Sequence, residues 1–160
     1  MRPGSKAIDG AQELAEAVVQ KMFAADTASQ KLGMRVADVR PGYARVEMDV
    51  LPEMLNGHAI CHGGLIFSLA DSAFAFACNT HNFVTVAAGC SIEFVAPAHT
   101  GDHLIAEAKE HLLHGRAGVY DVTISNQNGE RIALFRGRSH STRTEIISRE
   151  TAERLTSSQL

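Results

Sequence analysis

The spacing of apolar residues changes along this chain, and each spacing predicts an element. Leu14, Val18, Met22 and Ala25 recur at helical intervals with charged residues between them, which predicts an amphipathic helix over about 11–29, ended by Gly33. A strand over Met34–Val39 follows, and Pro41-Gly42 supplies the turn into the next. There Ala44, Val46, Met48 and Val50 alternate with Arg45, Glu47 and Asp49, the period-2 pattern of a half-buried strand. The segment LPEMLNGHAICHGG keeps no period and carries two glycine clusters, so it reads as a loop. From Gly64 to about His81 apolar residues cover nearly the whole helical circumference. That predicts a helix about 27 Å long, wrapped by other structure.

The rest of the chain alternates as a meander. VTVAAGCSIEFVAPA predicts a long strand bent near Gly89, and LIAEAKEHLL, AGVYDVTISNQ and RIALFRGRSHST predict three more. Turns fall at His99–Asp102, at His114-Gly115 and at Asn128-Gly129, the last a strong two-residue hairpin signal. The tail over 144–160 is polar and is expected to fray. One buried helix followed by an antiparallel meander is an α+β pattern, with the sheet curled around the helix. We expect one domain over 1–160, its core at about 33–142. Such a sheet keeps an open edge and an open face, which predicts dimerisation.

Composition narrows the class without naming a chemistry. A hydrophobic share of 45% and a charged share of 21% are ordinary for a soluble globular protein. The net charge of -3 gives no general attraction to nucleic acid or to an anionic membrane, so neither is expected as a partner. Cys61, Cys78 and Cys90 form no C-x-x-C pair and are odd in number, which fits a reducing cytoplasm better than a disulfide framework. The N-terminus lacks the continuous apolar core of a secretory signal. The most apolar stretch, Leu65 to Cys78, is short for a membrane span and carries Asp71 near its centre.

Asp71 is the most informative residue. Aspartate is a poor helix former and costly to bury, yet it sits in the middle of an apolar helix. Either hydroxyls such as Ser68 or Ser72 cap it as a structural carboxylate, or it is a base or nucleophile at the edge of the core. Gly63 and Gly64 open the same helix. Backbone N–H groups there lack intrahelical partners and favour negative charge, so they suit an oxyanion hole or an ordinary helix start equally. Asn56 and His62 flank the loop and either bind a ligand or shape the turn. His58 and His62 stand four apart without a third ligand in view, so no metal is expected. Cys61 beside His62 lacks any known nucleophile signature.

Helix arithmetic constrains a site that uses both ends. Gly63 and Asp71 are eight residues apart, which separates their backbones by about 12 Å along the axis. One reacting carbonyl cannot lie within about 3 Å of both in a single subunit. If both act on one substrate, a two-fold dimer must bring them together from different copies.

The run MLNGHAICHGGLIFSLADSAFAFACN resembles the phenylacetyl-CoA thioesterases, the PaaI type of hotdog enzyme, and FVAPAHTGDHL, GVYDVTISNQ and ALFRGRSH fit the same family. The resemblance implies a hotdog fold, homo-oligomers that are commonly dimers of dimers, and hydrolysis of acyl-CoA thioesters of phenylacetate or related aromatic acids without a cofactor. It implies that Asp71 is the catalytic aspartate, that Gly63 polarises the thioester carbonyl, and that Asn56 and His62 are polar residues of the active-site loop. Asp71 would either attack the carbonyl to form a mixed anhydride or deprotonate water. CoA would be bound by Gly64 and by Arg136, Arg138 and Ser139 of FRGRSH, although those arginines also suit a solvated strand edge. Two alternatives remain: a hotdog hydratase or dehydratase, which needs a histidine–acid pair, and a non-enzymatic acyl-CoA sensor, which needs a DNA-binding module not apparent here.

Overall fold

In the computed structural model, which describes residues 5–157, the amphipathic N-terminal stretch is two helices rather than one. Helix α1 spans Ser5–Ala25 and helix α2 spans Thr27–Lys31. The expected single helix over 11–29 is interrupted at Asp26, whose carboxylate accepts the Ser29 N–H at 3.0 Å and caps α2. Gly33 then adopts a φ of 72°, a left-handed backbone that suits glycine, and the chain turns into the sheet.

Strands β1 (Arg35–Arg40) and β2 (Tyr43–Asp49) form an antiparallel hairpin. The period-2 reading of β2 holds, with Ala44, Val46 and Met48 buried on one face. A 3-10 turn at Pro52–Met54 and the glycine-bearing loop lead to helix α3, Gly63–Asn79. Strands β3 (Phe83–Phe94), β4 (His103–His114), β5 (Ala117–Ser125) and β6 (Arg131–Glu145) complete one six-stranded antiparallel sheet in the order β1-β2-β4-β5-β6-β3. The bend anticipated in β3 is a register shift between Ala87 and Gly89.

Helix α3 packs against β2, β3, β4, β5 and β6, so the sheet wraps it as its apolar circumference required. Leu69, Phe74 and Phe76 are essentially fully buried in this core, each contributing about 1.5–3 kcal/mol of apolar burial. The approach is close. A Cβ on Gly137 of β6 would lie 2.7 Å from the Phe74 ring, so only glycine lets that strand meet the helix there. The architecture is the α+β hotdog: a central helix held in a curved antiparallel sheet.

The C-terminal segment departs from expectation. Rather than fraying from residue 144, the chain continues β6 to Glu145 and forms helix α4, Arg149–Ser157, which packs on α1. The cause is a long-range tie: the Asn82 side chain accepts the Ile147 N–H at 2.9 Å and donates to its carbonyl at 3.0 Å, while Ile147 itself is buried. Residues 1–4 of the expected domain and 158–160 of the expected tail lie outside the described residues. No described helix is long and apolar enough to cross a membrane.

Candidate active site

The start of α3 satisfies its backbone donors selectively. His62 is the N-cap: its ring Nδ1 accepts the Gly64 N–H at 2.9 Å, and its carbonyl accepts the Leu65 and Ile66 N–H groups at 2.9 and 3.3 Å. The accepting Nδ1 must be unprotonated, which places the proton of the neutral ring on Nε2. Gly63 is thus the residue of the first turn whose N–H finds no acceptor among the described residues. A Cβ on Gly63 would lie 3.1 Å from the tip of the Phe94 ring, so a side chain at this position would press on that ring.

Asn56 shapes the preceding loop and keeps a donor in reserve. Its Oδ1 accepts the His58 N–H at 2.9 Å and the Ile60 N–H at 3.4 Å, which fixes the amide orientation. Its Nδ2 has no acceptor among the described residues. The loop is anchored where the Cys61 N–H meets the Ala98 carbonyl and the His62 N–H meets the Met54 carbonyl, both at 2.8 Å. Asn56 and Gly63 line one cleft of about 510 Å³ with Ile60, Ile66, Phe94 and Pro97. Two unspent N–H donors therefore share an apolar cleft, where a developing oxyanion gains most from them.

Asp71 opens into a different cleft, of about 380 Å³, together with Ser29, Met34, Phe67, Ser68 and Ser72. The two clefts share no lining residue. The hydroxyls that might have capped Asp71 are spent elsewhere: Ser68 donates to the Gly64 carbonyl at 2.8 Å, and Ser72 meets the Ser29 hydroxyl at 2.8 Å. The Asp71 carboxylate has no hydrogen-bond partner among the described residues, and burial raises its pKa above the ordinary aspartate value. A half-buried, unpaired carboxylate facing a cleft has the signature of a working group rather than a structural one.

The other residues singled out by sequence fall outside these clefts. His62 is exposed and committed to the cap, and the Gly64 N–H is occupied by it, so neither lines the cleft of Asn56 and Gly63. Arg136 and Arg138 project from the outer face of β6. Arg136 donates to both oxygens of Asp121 at 2.6 and 2.8 Å, and this pairing holds the Asp121 carboxyl below its usual range. Arg138 has no partner among the described residues and lies over Gly89, 3.1 Å from where a Cβ would stand. Ser139 does not join them: it faces the opposite side of β6, buried against Gly118, because side chains alternate along a strand. Burial raises the Cys61 thiol, with Asp102 adding to the shift, which disfavours the thiolate a nucleophile needs. No group of three His, Cys, Asp or Glu able to hold a metal occurs among the described residues.

Sequence reasoning missed Ser29 of α2, which reaches Ser72, and Asp26, which caps that helix and holds Ser29. The signal was the Asp-x-x-Ser spacing of a helix cap, submerged in a run that reads as one continuous helix.

Residues 58–133 match the family model described as the thioesterase superfamily. The chain is 45% identical over 119 residues to the acyl-coenzyme A thioesterase PaaI of Escherichia coli (strain K12), covering 74% of this chain and 85% of that protein. The solved structure of the E. coli PaaI protein, from the phenylacetic acid degradation operon, superposes with a TM-score of 0.81 at 42% identity, over 82% of this chain and 96% of that one. A mutant of the phenylacetic acid degradation protein PaaI from Thermus thermophilus gives a TM-score of 0.69 at 36% identity, over 72% of this chain and 98% of the other. With the fold, the sequence likeness and the coverage in agreement, the chain belongs to the thioesterase superfamily, as a hotdog-fold member of the PaaI type.

Proposed function

We propose that this PaaI-type acyl-CoA thioesterase hydrolyses thioesters of phenylacetate or related, ring-hydroxylated aromatic acids, with Asp71 as general base and the Gly63 N–H as oxyanion donor. The observation that carries the reading is the pair of unspent groups on one helix: a carboxylate without a partner at Asp71 and a backbone donor without an acceptor at Gly63, in separate clefts. The aromatic preference rests on the phenylacetic acid context of the PaaI proteins that the chain is similar to.

A second copy completes the site. Strand β3 is a free edge of the sheet, and Val86, Phe94 and Val95 on and beside it are 51%, 54% and 58% exposed. Pairing two such edges across a two-fold axis continues the sheet and sets the two α3 helices side by side, so that Asp71 of each copy meets Gly63 of the other. A dimer of such dimers is the expected assembly. Arg138, with its uncompensated charge, is the stronger site for a CoA phosphate, and Arg136 contributes only by loosening from Asp121.

In the reaction, water attacks the thioester carbon and gives a proton to Asp71. The carbonyl electron pair moves to oxygen, where the Gly63 N–H and the Asn56 amide receive the charge. Collapse breaks the carbon–sulfur bond, and the thiolate recovers the proton from Asp71. No histidine lines the cleft that holds Asp71, so Asp71 has no histidine beside it there to form the histidine–acid pair of a hydratase. The three free cysteines suit a reducing compartment, and we place the enzyme in the cytoplasm.

Thiol release from a panel of aromatic and aliphatic acyl-CoAs tests the assignment. Phenylacetyl-CoA or its ring-hydroxylated forms should exceed palmitoyl-CoA in kcat/KM, and the reverse order contradicts the proposed substrate class. A single turnover in 18O-water should place the label in the product acid, and label recovered in Asp71 contradicts the general-base role.

A further inference from the structure

We infer that Ser72 is a positioning residue that orients the attacking water, and that Asp26 and Ser29 set the direction of its hydroxyl. This rests on the reading of Asp71 as general base. The Ser29 hydroxyl lies 2.6 Å from Asp26 Oδ2 and 2.8 Å from Ser72 Oγ. An ionised carboxylate only accepts hydrogen bonds, so Ser29 spends its single proton on Asp26. Ser29 can then meet Ser72 only as an acceptor, and the Ser72 proton points at Ser29. The chain of donors has one sense, from Ser72 to Ser29 to Asp26.

The consequence falls in the cleft that Ser72 lines beside Asp71. With its proton committed, Ser72 offers the cleft lone pairs only. A water bridging the two residues donates one proton to the Asp71 carboxylate and the other to Ser72 Oγ. Both of its lone pairs are then directed at neither residue, and one is free to attack the thioester carbon. During attack the new carbon–oxygen bond forms as the first proton passes to Asp71, and the hydrogen bond to Ser72 is kept. Were the Ser72 proton turned into the cleft, it would occupy one of those lone pairs and make the oxygen a poorer nucleophile.

The arrangement joins distant parts of the chain. Ser29 is 43 residues from Ser72, is only 3% exposed, and belongs to a helix of five residues that closes over the Asp71 cleft. A plain tether between α2 and α3 would look similar in a stability measurement, so the test reads kinetics as well.

Ser72→Ala, Ser29→Ala, their double variant and Ser29→Thr are compared with wild type and with Asp71→Asn, using phenylacetyl-CoA, thermal melts and steady-state kinetics. The inference expects Ser72→Ala and Ser29→Ala each to lower kcat about tenfold with KM little changed. Ser29→Ala should cost nothing further in the Ser72→Ala background, because Ser29 acts only through Ser72. Ser29→Thr, which keeps a hydroxyl, should recover most of kcat. Wild-type kcat in folded Ser72→Ala or Ser29→Ala, with only the melting temperature lowered, overturns the inference and leaves a tether. If Ser72→Ala does not fold, Ser29→Ala decides alone by the same criterion. The two readings separate through Asp71→Asn: an inactive Asp71→Asn with a fully active Ser72→Ala removes the water-positioning role only, whereas an active Asp71→Asn removes the base and with it this role.

Discussion

The ring Nδ1 of His62 accepts the backbone N–H of Gly64 at 2.9 Å, and that one contact distinguishes two adjacent glycines. Gly64 is spent on the cap, and the Gly63 donor has no acceptor among the described residues. On the proposed function, His62 acts through helix geometry and not by touching substrate. Replacing it with Ala should cost about 1 kcal/mol of stability, the usual loss for a missing N-cap, and lower kcat as the first turn frays. His62→Asn supplies another good cap and should recover both. Thermal melts alongside kinetics check this, and a kcat loss that Asn does not recover would give the imidazole a direct part.

A methyl group on Gly63 would lie 3.1 Å from the tip of the Phe94 ring, which would have to give by a few tenths of an ångström. Gly63→Ala keeps the N–H but shifts the ring beside it, and should lower kcat by less than the about 10²-fold of losing an oxyanion donor outright. Phe94→Ala opens the space. In that background Gly63→Ala should cost much less, so the double variant should be more active than the sum of single losses predicts. Strict additivity in kcat would show that the ring is not the obstacle.

Burial raises the Asp71 pKa, and this gives opposite signs for activity and stability. A base must be ionised, so kcat should fall on acidification at a pH above that of an ordinary aspartate. For stability, a carboxyl raised in the folded state favours folding while protonated, and that contribution is lost as pH rises through the folded pKa. At neutral pH the ionised group therefore destabilises the fold. Asp71→Asn should abolish turnover, by about 10³-fold or more, and raise the melting temperature near pH 7 but not in acid. A melting temperature unchanged or lowered at neutral pH would contradict the unpaired, desolvated carboxylate.

His58 and His62 resemble a metal pair in sequence, but the accepting nitrogen of His62 is occupied by a backbone N–H. Activity should survive exhaustive chelation. Loss that zinc or manganese restores would contradict a purely organic site.

The features legible in the sequence are those written into a single element. Asp71 stood out because one charge interrupts an apolar helix, and the Gly63–Asp71 separation follows from helical rise alone. The alternation of Ala44, Val46 and Met48 and the Asn128-Gly129 turn mark strands for the same local reason. What escaped depends on contacts across the chain. Nothing near Ile147 announces that Asn82 holds it in place, so a polar tail that packs as α4 read as frayed. Ser29 and Ser72 meet only once α2 folds onto α3. Ser139 shares a short motif with Arg136 and Arg138, but the sheet turns it to the other face.

Asp71 lies in one cleft and Asn56 and Gly63 in the other, with Asp71 and Gly63 about 12 Å apart along one helix, and the proposed function needs a second copy to join them. Mixing two inactive variants, Asp71→Asn and Asn56→Ala, after reversible dissociation tests this directly. A mixed dimer holds one doubly damaged site and one intact site. Random exchange makes about half of the dimers mixed, so activity should return to roughly a quarter of wild type. With exchange confirmed by mass, activity that stays at the level of the two parents contradicts a site shared between copies.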